Sequence, residues 1–107
     1  MTEEDYDIPF QIVAVAGNAR SLALMAVESA REGDMEQAES YLKEANESCL
    51  EAHKVQTQLL TNEAQGNAME VNLIMVHAQD HLTMATLALE NAKEFINLYK
   101  LIGSRDS

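Results

Sequence analysis

The chain has 107 residues, room for one domain with one core. Eighteen Asp and Glu against seven Lys and Arg leave a net charge of −11, which disfavours nucleic acid and anionic membranes and favours a partner with a basic face. Hydrophobic residues make up 47% of the chain but aromatics only 5%; helix formers dominate and no run alternates as a strand would, so the expected class is all-α.

Cys49 is the one cysteine and cannot close an intramolecular disulfide. No secretory signal is visible, and the longest apolar runs fall well short of the ~18 residues of a membrane span. No transmembrane helix is expected, and the cytoplasm is the expected compartment.

Met1 to Asp7 is acidic and expected to fray. Asp7 is placed as the cap of helix 1, about 8–32, with Pro9 tolerated in its first turn. Apolar residues recur at Ile12, Val15, Ala16, Ala19, Leu22, Ala23, Ala26, Val27 and Ala30, which is helical spacing. Gly17 interrupts the run at up to about 1 kcal/mol in propensity, and a close helix–helix contact is its expected explanation. Gly33 suits the left-handed residue after a helix, and Asp34 with Gln37 resembles a capping box. Helix 2, about 35–61, then buries Ala38, Tyr41, Leu42, Ala45, Cys49, Ala52, Val55 and Leu59. So short a connection makes helices 1 and 2 antiparallel neighbours. The stretch 61–67 (TNEAQGN) reads as the second loop, and Asn67 with Glu70 repeats the capping pattern. Helix 3 is expected over about 69–102, free of Gly and Pro until Gly103, and the polar end after it is expected to be loose. These elements predict an antiparallel three-helix bundle forming a single domain, 1–107.

Helix 3 is apolar on two sides. At about 100° per residue, His77 and Asp80 share a face with Leu73, Met84, Ala88, Asn91 and Phe95, and His81 stands one turn above His77. A second stripe, Ile74, Ala78, Leu82, Ala85, Leu89 and Ile96, points about 100° away. The strictly polar strip of Asn72, Gln79, Thr83, Glu90 and Asn97 is narrow. A helix of this kind must be buried on both sides. One small bundle covers one side, and the side with His77 and Asp80 requires a partner.

Several residues could carry chemistry. His77, Asp80 and His81 have the i, i+3, i+4 spacing of an intrahelical metal site, but Ala78 stands where a metalloprotease helix would carry Glu. A histidine also serves as a nucleophile toward phosphorus, since a free imidazole titrates near 6.5 and is largely neutral at pH 7. That role needs one exposed ring nitrogen, a fixed second one and donors for the phosphoryl oxygens. Gln79 and His81 are the candidates for those donors, by proximity in sequence. The plainer reading of His77 is a histidine packed in a helical interface. Cys49 and His53, at i and i+4, could pair as thiolate and imidazole, but Cys49 falls on the apolar repeat and reads first as a buried inert thiol. Arg20 reads as a salt-bridge partner for local acids before a phosphate contact. Met25, Met35, Met69, Met75 and Met84 fit core spacing.

Four blocks in order, Asn18-Ala-Arg-Ser-Leu-Ala23, Gly33-Asp34, Glu51-Ala-His-x-Val-Gln-Thr57 and Val76-His-Ala-Gln-Asp-His-Leu82, resemble the enzyme IIA component of the lactose/cellobiose class of the phosphoenolpyruvate-dependent sugar phosphotransferase system. The resemblance runs from about Phe10 to Tyr99, and the Val-His-Ala form is similar to the cellobiose/diacetylchitobiose branch. It implies a homotrimer of three-helix subunits, a nine-helix bundle. It implies that His77 accepts a phosphoryl group from the phosphocarrier HPr and passes it to a Cys of the cognate IIB component, which serves the membrane-bound IIC. It also implies that Asp80 meets its symmetry mates on the trimer axis and holds a structural divalent metal, most simply Mg²⁺. The family usually continues His-Leu-Met-Thr, whereas Thr83 and Met84 are inverted here, so a repacked trimer seam is expected. Two other readings remain open at this stage. One is a phosphotransfer bundle of two-component signalling, although no Lys lies between Lys54 and Lys93. The other is a non-enzymatic helical adaptor.

Overall fold

Three helices account for residues 3–105, the residues that the computed structural model describes: α1 (Glu3–Arg31), α2 (Met35–Ala64) and α3 (Leu73–Arg105). Their buried faces are built mostly of alanine. Above the buried Pro9, α1 buries Ile12, Ala16, Ala19, Ala23, Ala26 and Ala30; the alanines of α2 are Ala38, Ala45 and Ala52, and those of α3 Ala78, Ala85 and Ala92. Each set keeps a seven-residue repeat, shorter than the period of a straight helix, and so favours a left-handed winding of the three helices. Small side chains let α1 lie along both partners, whereas α2 and α3 meet much less.

The core falls into three clusters that fix the topology. Ile12 packs with Ala52, Ala78 and Leu82; Ala19 and Ala23 with Ala45, Cys49, Ala85 and Leu89; Ala26 and Ala30 with Ala38 and Ile96. Moving up α1, α3 runs in the same direction and α2 in the opposite one. The molecule is thus the expected all-α antiparallel three-helix bundle, a rod 58 Å long. Ser48 is its one buried polar side chain among the described residues; it donates to Val15 O and accepts from Asn18 Nδ2, so nothing there is left unpaired.

The turns obey local chemistry. Gly33 has φ +88, and the amides of Gly33 and Asp34 close on Ala30 and Ser29 carbonyls. Asp34 then caps α2 by accepting from Gln37 N at 3.1 Å. The second turn departs from expectation. None of Thr61, Asn62, Glu63 or Ala64 breaks a helix, so α2 continues to Ala64 until Gly66 supplies φ +89. Asn67 gives its amide to Asn62 O, which ends α2, and it does not start α3. Asn72 caps α3 in its place, accepting from Met75 N at 2.9 Å, so α3 begins four residues later than predicted.

The outer ends also differ. α1 begins at Glu3, which puts Asp7 inside the helix and Pro9 beyond the first turn, where it removes one backbone hydrogen bond. Pro9 is buried, and neighbouring Ile8 packs on the lower core. Residues 3–7 of the stretch expected to fray are helical, and Met1 and Thr2 lie outside the described residues. α3 likewise runs through Gly103 to Arg105, while Asp106 and Ser107 lie outside the described residues. Contrary to the estimate from apolar runs, Tyr6–Arg31 has the length and composition to cross a membrane. Its buried alanines are the core of the bundle, and Asn18, Arg20 and Glu28 interrupt it. Gly17 makes no close approach: a Cβ there would meet nothing within 4 Å. Gly17→Ala should therefore stabilise the fold by about 0.5–1 kcal/mol, read as a higher urea midpoint. A lower midpoint would mean that another surface covers this turn.

Candidate functional site

His77 lies about one turn into α3, on a helix start fixed by the Asn72 cap. Its rigidity comes from Ala78 and Leu82, both buried against Ile12 and Ala52, which hold the opposite side of the helix. His77 is exposed and His81 half-buried. Their rings meet edge to face with centroids 4.5 Å apart, and Nε2 of one lies 3.0 Å from Nε2 of the other. One ring therefore donates an N–H to the lone pair of the other.

Asp80 is exposed on the same side, about 60° around the helix from His77. The intrahelical metal reading is not supported, since no three His, Cys, Asp or Glu gather among the described residues. Within one chain Gln79 stands apart from His77. It lies about 160° around the helix from His77, and its Oε1 accepts from Gln56 Nε2 at 2.7 Å, while its Nε2 reaches Met75 Sδ. Within one chain it therefore belongs to the α2–α3 groove and not to the His77 surroundings.

A second cluster joins α2 to α3. The Thr86 hydroxyl donates to Leu82 O at 2.9 Å, so it accepts from His53 Nε2 at 3.1 Å, with Cys49 Sγ 3.7 Å away. Cys49 and His53 thus converge on Thr86 instead of forming a pair of their own. Cys49 is buried, as its place on the apolar repeat required. Gln56 and Thr86 were missed in the sequence, where the only signal was the Cys49–His53 spacing opposite a mid-helix hydroxyl. Arg20 has no ion pair among the described residues, against the salt-bridge reading. Of the methionines, Met75 is buried and Met35 and Met69 half-buried, but Met25 and Met84 are exposed. Thr83 donates to Gln79 O, and its inversion with Met84 leaves the thioether on the Asp80 side.

That side forms one continuous stripe. Leu73, 84% exposed, is followed by Val76, His77, Asp80, Met84, Leu87, Asn91, Phe95, Leu98 and Ile102, all exposed. The steps of three and four residues are those of a helix seam that pairs with another helix. An exposed apolar stripe of this length marks an interaction surface.

The family model described as "PTS system, Lactose/Cellobiose specific IIA subunit" matches residues 7–100. The chain belongs to this family. It is a phosphotransferase component of the sugar phosphotransferase system. The lichenan-specific phosphotransferase enzyme IIA component of Bacillus subtilis is 46% identical over 102 residues, covering 95% of this chain and 93% of that protein. The crystal structure of the cellobiose-specific enzyme IIA from Bacillus anthracis superposes with a TM-score of 0.93 at 41% identity, covering 97% of this chain and 95% of that one. The IIA subunit in the solution structure of the IIA(chitobiose)–HPr complex of Escherichia coli matches with a TM-score of 0.81 at 35% identity, covering 95% and 99%.

The Asn72 cap fixes the helix end that carries the histidines. Asn72→Ala should cost about 0.5–2 kcal/mol and fray the first turn of α3, seen as faster amide exchange at Met75 and Val76 with little change at Ala85 and beyond.

Proposed function

We propose that His77 is the phosphorylated residue, receiving its phosphoryl group from HPr and passing it to a Cys of the cognate IIB component. The observation that carries this reading is the exposed His77, its Nε2 lying 3.0 Å from Nε2 of His81, on a helix edge accessible to a partner. In this reading His77 carries its hydrogen on Nδ1, and His81 donates to the His77 Nε2 lone pair. As the donor docks, that lone pair turns to attack phosphorus. The new N–P bond forms as the donor's N–P bond breaks, and the electron pair of the broken bond returns to the donor imidazole. The His81 N–H, released from its nitrogen acceptor, can then donate to a phosphoryl oxygen. Transfer onward reverses the roles: a Cys thiolate attacks phosphorus, an S–P bond forms, and the pair returns to His77 Nε2.

We place the exposed stripe of α3 at the centre of a homotrimer. The three α3 helices pack in parallel through this seam, giving nine helices in all. Gln79, turned away from His77 in its own chain, then lies on the flank of α3 that meets the His77 flank of a neighbouring copy. Asp80 is the one carboxylate near the middle of the seam's lower half. Three copies converging on the axis would repel and be poorly solvated unless a divalent cation, most simply Mg²⁺, shared them with water. A single exposed Asp80 makes no site, so the fit depends on the three copies. When bound, the cation neutralises the axis and takes no part in phosphoryl transfer.

The sugar is imported by the membrane-bound IIC partner. A β-linked disaccharide, cellobiose or diacetylchitobiose, is supported by the Val76-His77-Ala78 form and by the names of the relatives. The cytoplasm, where HPr acts, is the compartment this reading requires. Family membership replaces the two-component and adaptor alternatives.

Two experiments test the proposal. Incubation with phosphoenolpyruvate, enzyme I and HPr should load one acid-labile phosphate per chain; His77→Ala should abolish loading at unchanged helicity, whereas His81→Ala or His53→Ala should retain measurable transfer. A His77→Ala protein that still accepts phosphate would overturn the site. Sedimentation should show a wild-type trimer at micromolar concentration with Mg²⁺, weakened by chelator. Asp80→Leu should keep the trimer in chelator, because the substitution removes the charge together with its desolvation cost. Dissociation of Asp80→Leu while wild type stays trimeric would rule out the axial position of Asp80.

A further inference from the structure

The exposed stripe of α3 contains a second polar residue that phosphoryl transfer does not use. Asn91 lies about 20° around the helix from Asp80 and three turns above it, some 16 Å along the axis. It is exposed, and among the described residues its side chain makes no hydrogen bond. Its neighbours along the stripe are apolar: Leu87 below, Phe95 and Leu98 above, all about half-exposed. The helix buries Leu89 and Ala92 on its other side, so Asn91 cannot turn inward. Of the charged residues near it, Glu94 stands about 60° from Asn91 at the rim of the stripe, and Glu90 and Lys93 lie farther off on the same side, about 100° and 160° around. Asn91 is therefore a lone carboxamide in the middle of an apolar seam.

We infer that Asn91 forms a second polar layer of the trimer axis and fixes the register and stoichiometry of the three helices. The inference rests on the trimer proposed above. In a parallel three-fold seam the three carboxamides meet at one level. Each can donate one N–H to the carbonyl oxygen of the next, closing a ring of three hydrogen bonds. A slip by one heptad would set Asn91 against Met84 or Leu98, burying an amide without a partner. The apolar seam alone resists such a slip weakly, because Leu and Met repeat along it. A single polar residue at a seam position specifies register and oligomer state at some cost in stability. One rival arrangement satisfies the same residue. In an antiparallel two-fold pair centred between Ala85 and Thr86, Asn91 of one chain would meet Asp80 of the other.

Asn91→Asp is nearly isosteric and adds one charge at a position that is exposed in the single chain, so each chain still folds. On the axis it would place three more carboxylates together, and the trimer should dissociate in sedimentation at protein concentrations where wild type is wholly assembled. Asn91→Leu should stay assembled and melt several degrees higher, but split into more than one oligomeric species. Both variants should load phosphate at His77 from HPr, since position 91 is far from it along α3. A trimeric Asn91→Asp that melts as wild type does would overturn the inference while leaving the trimer intact. A monomeric wild type would overturn the trimer itself, and a two-fold dimer would favour the antiparallel pairing with Asp80.

Discussion

The close approach of α1 to both other helices is the constraint from which the rest follows. Five of the seven buried positions of α1 are alanine, so its backbone comes near α2 on one side and α3 on the other. Side chains that small contribute little apolar area each, and stability must come from the length of the contact and its regular interdigitation. The geometry also decides what stays uncovered. With α1 against both of them along much of the rod, α2 and α3 meet less, and polar bridges that join them include Gln56 to Gln79, His53 to Thr86 and Glu39 to Lys100. The side of α3 that faces away from α1 has no cover within the chain, and that side carries Leu73, Asp80, Leu87 and Leu98.

The division of α3 into two stripes was legible in the sequence because two periodicities of about 3.5 residues overlap on one helix. Ala78, Leu82, Ala85 and Leu89 form one and His77, Asp80, Met84 and Asn91 the other, and both lie where their spacing placed them. The bundle topology was legible for a similar reason, since Gly33 and Asp34 leave room for nothing but a reversal. The start of α3 was not legible. Asn67 and Asn72 both offer a cap, and only the demand of α2 for a residue to close its last turn after Gly66 separates them. Local pattern cannot decide between two caps when one of the competing bonds belongs to the preceding helix.

The polar cross-links were hidden for a different cause. Gln79 stands two positions from His77 in sequence, yet two residues on a helix are about 200° of rotation. Gln79 consequently binds α2, and the partner that holds it, Gln56, carries no distinguishing pattern. Thr86 is similarly anonymous in sequence, although its hydroxyl receives His53 and lies near Cys49. Gly17 and Arg20 were each given a partner on general grounds, a close helix for one and an acid for the other, and the fold supplies neither. Such one-sided features are read poorly from sequence, because the prior for each is set by the commonest context and not by the neighbours it has.

In the proposed transfer, the position of His77 on its helix reconciles two demands that oppose each other. A group that hands phosphate between two proteins in turn must be reachable from solvent, which argues against the middle of any packed seam. The same group must be held still, which argues for a helix gripped on its far side. An offset of about 60° from the centre line through Asp80 meets both, because it sets the imidazole at the rim of the seam while Ala78 and Leu82 anchor the turn beneath it. His81, another 40° around the helix, is half-buried and braces the ring from behind at 3.0 Å. In the proposed trimer position 80 would be buried on the axis, and at position 81 the ring is half-buried within the chain. Position 77 combines an exposed imidazole, a second ring nitrogen 3.0 Å away and a backbone fixed by the core.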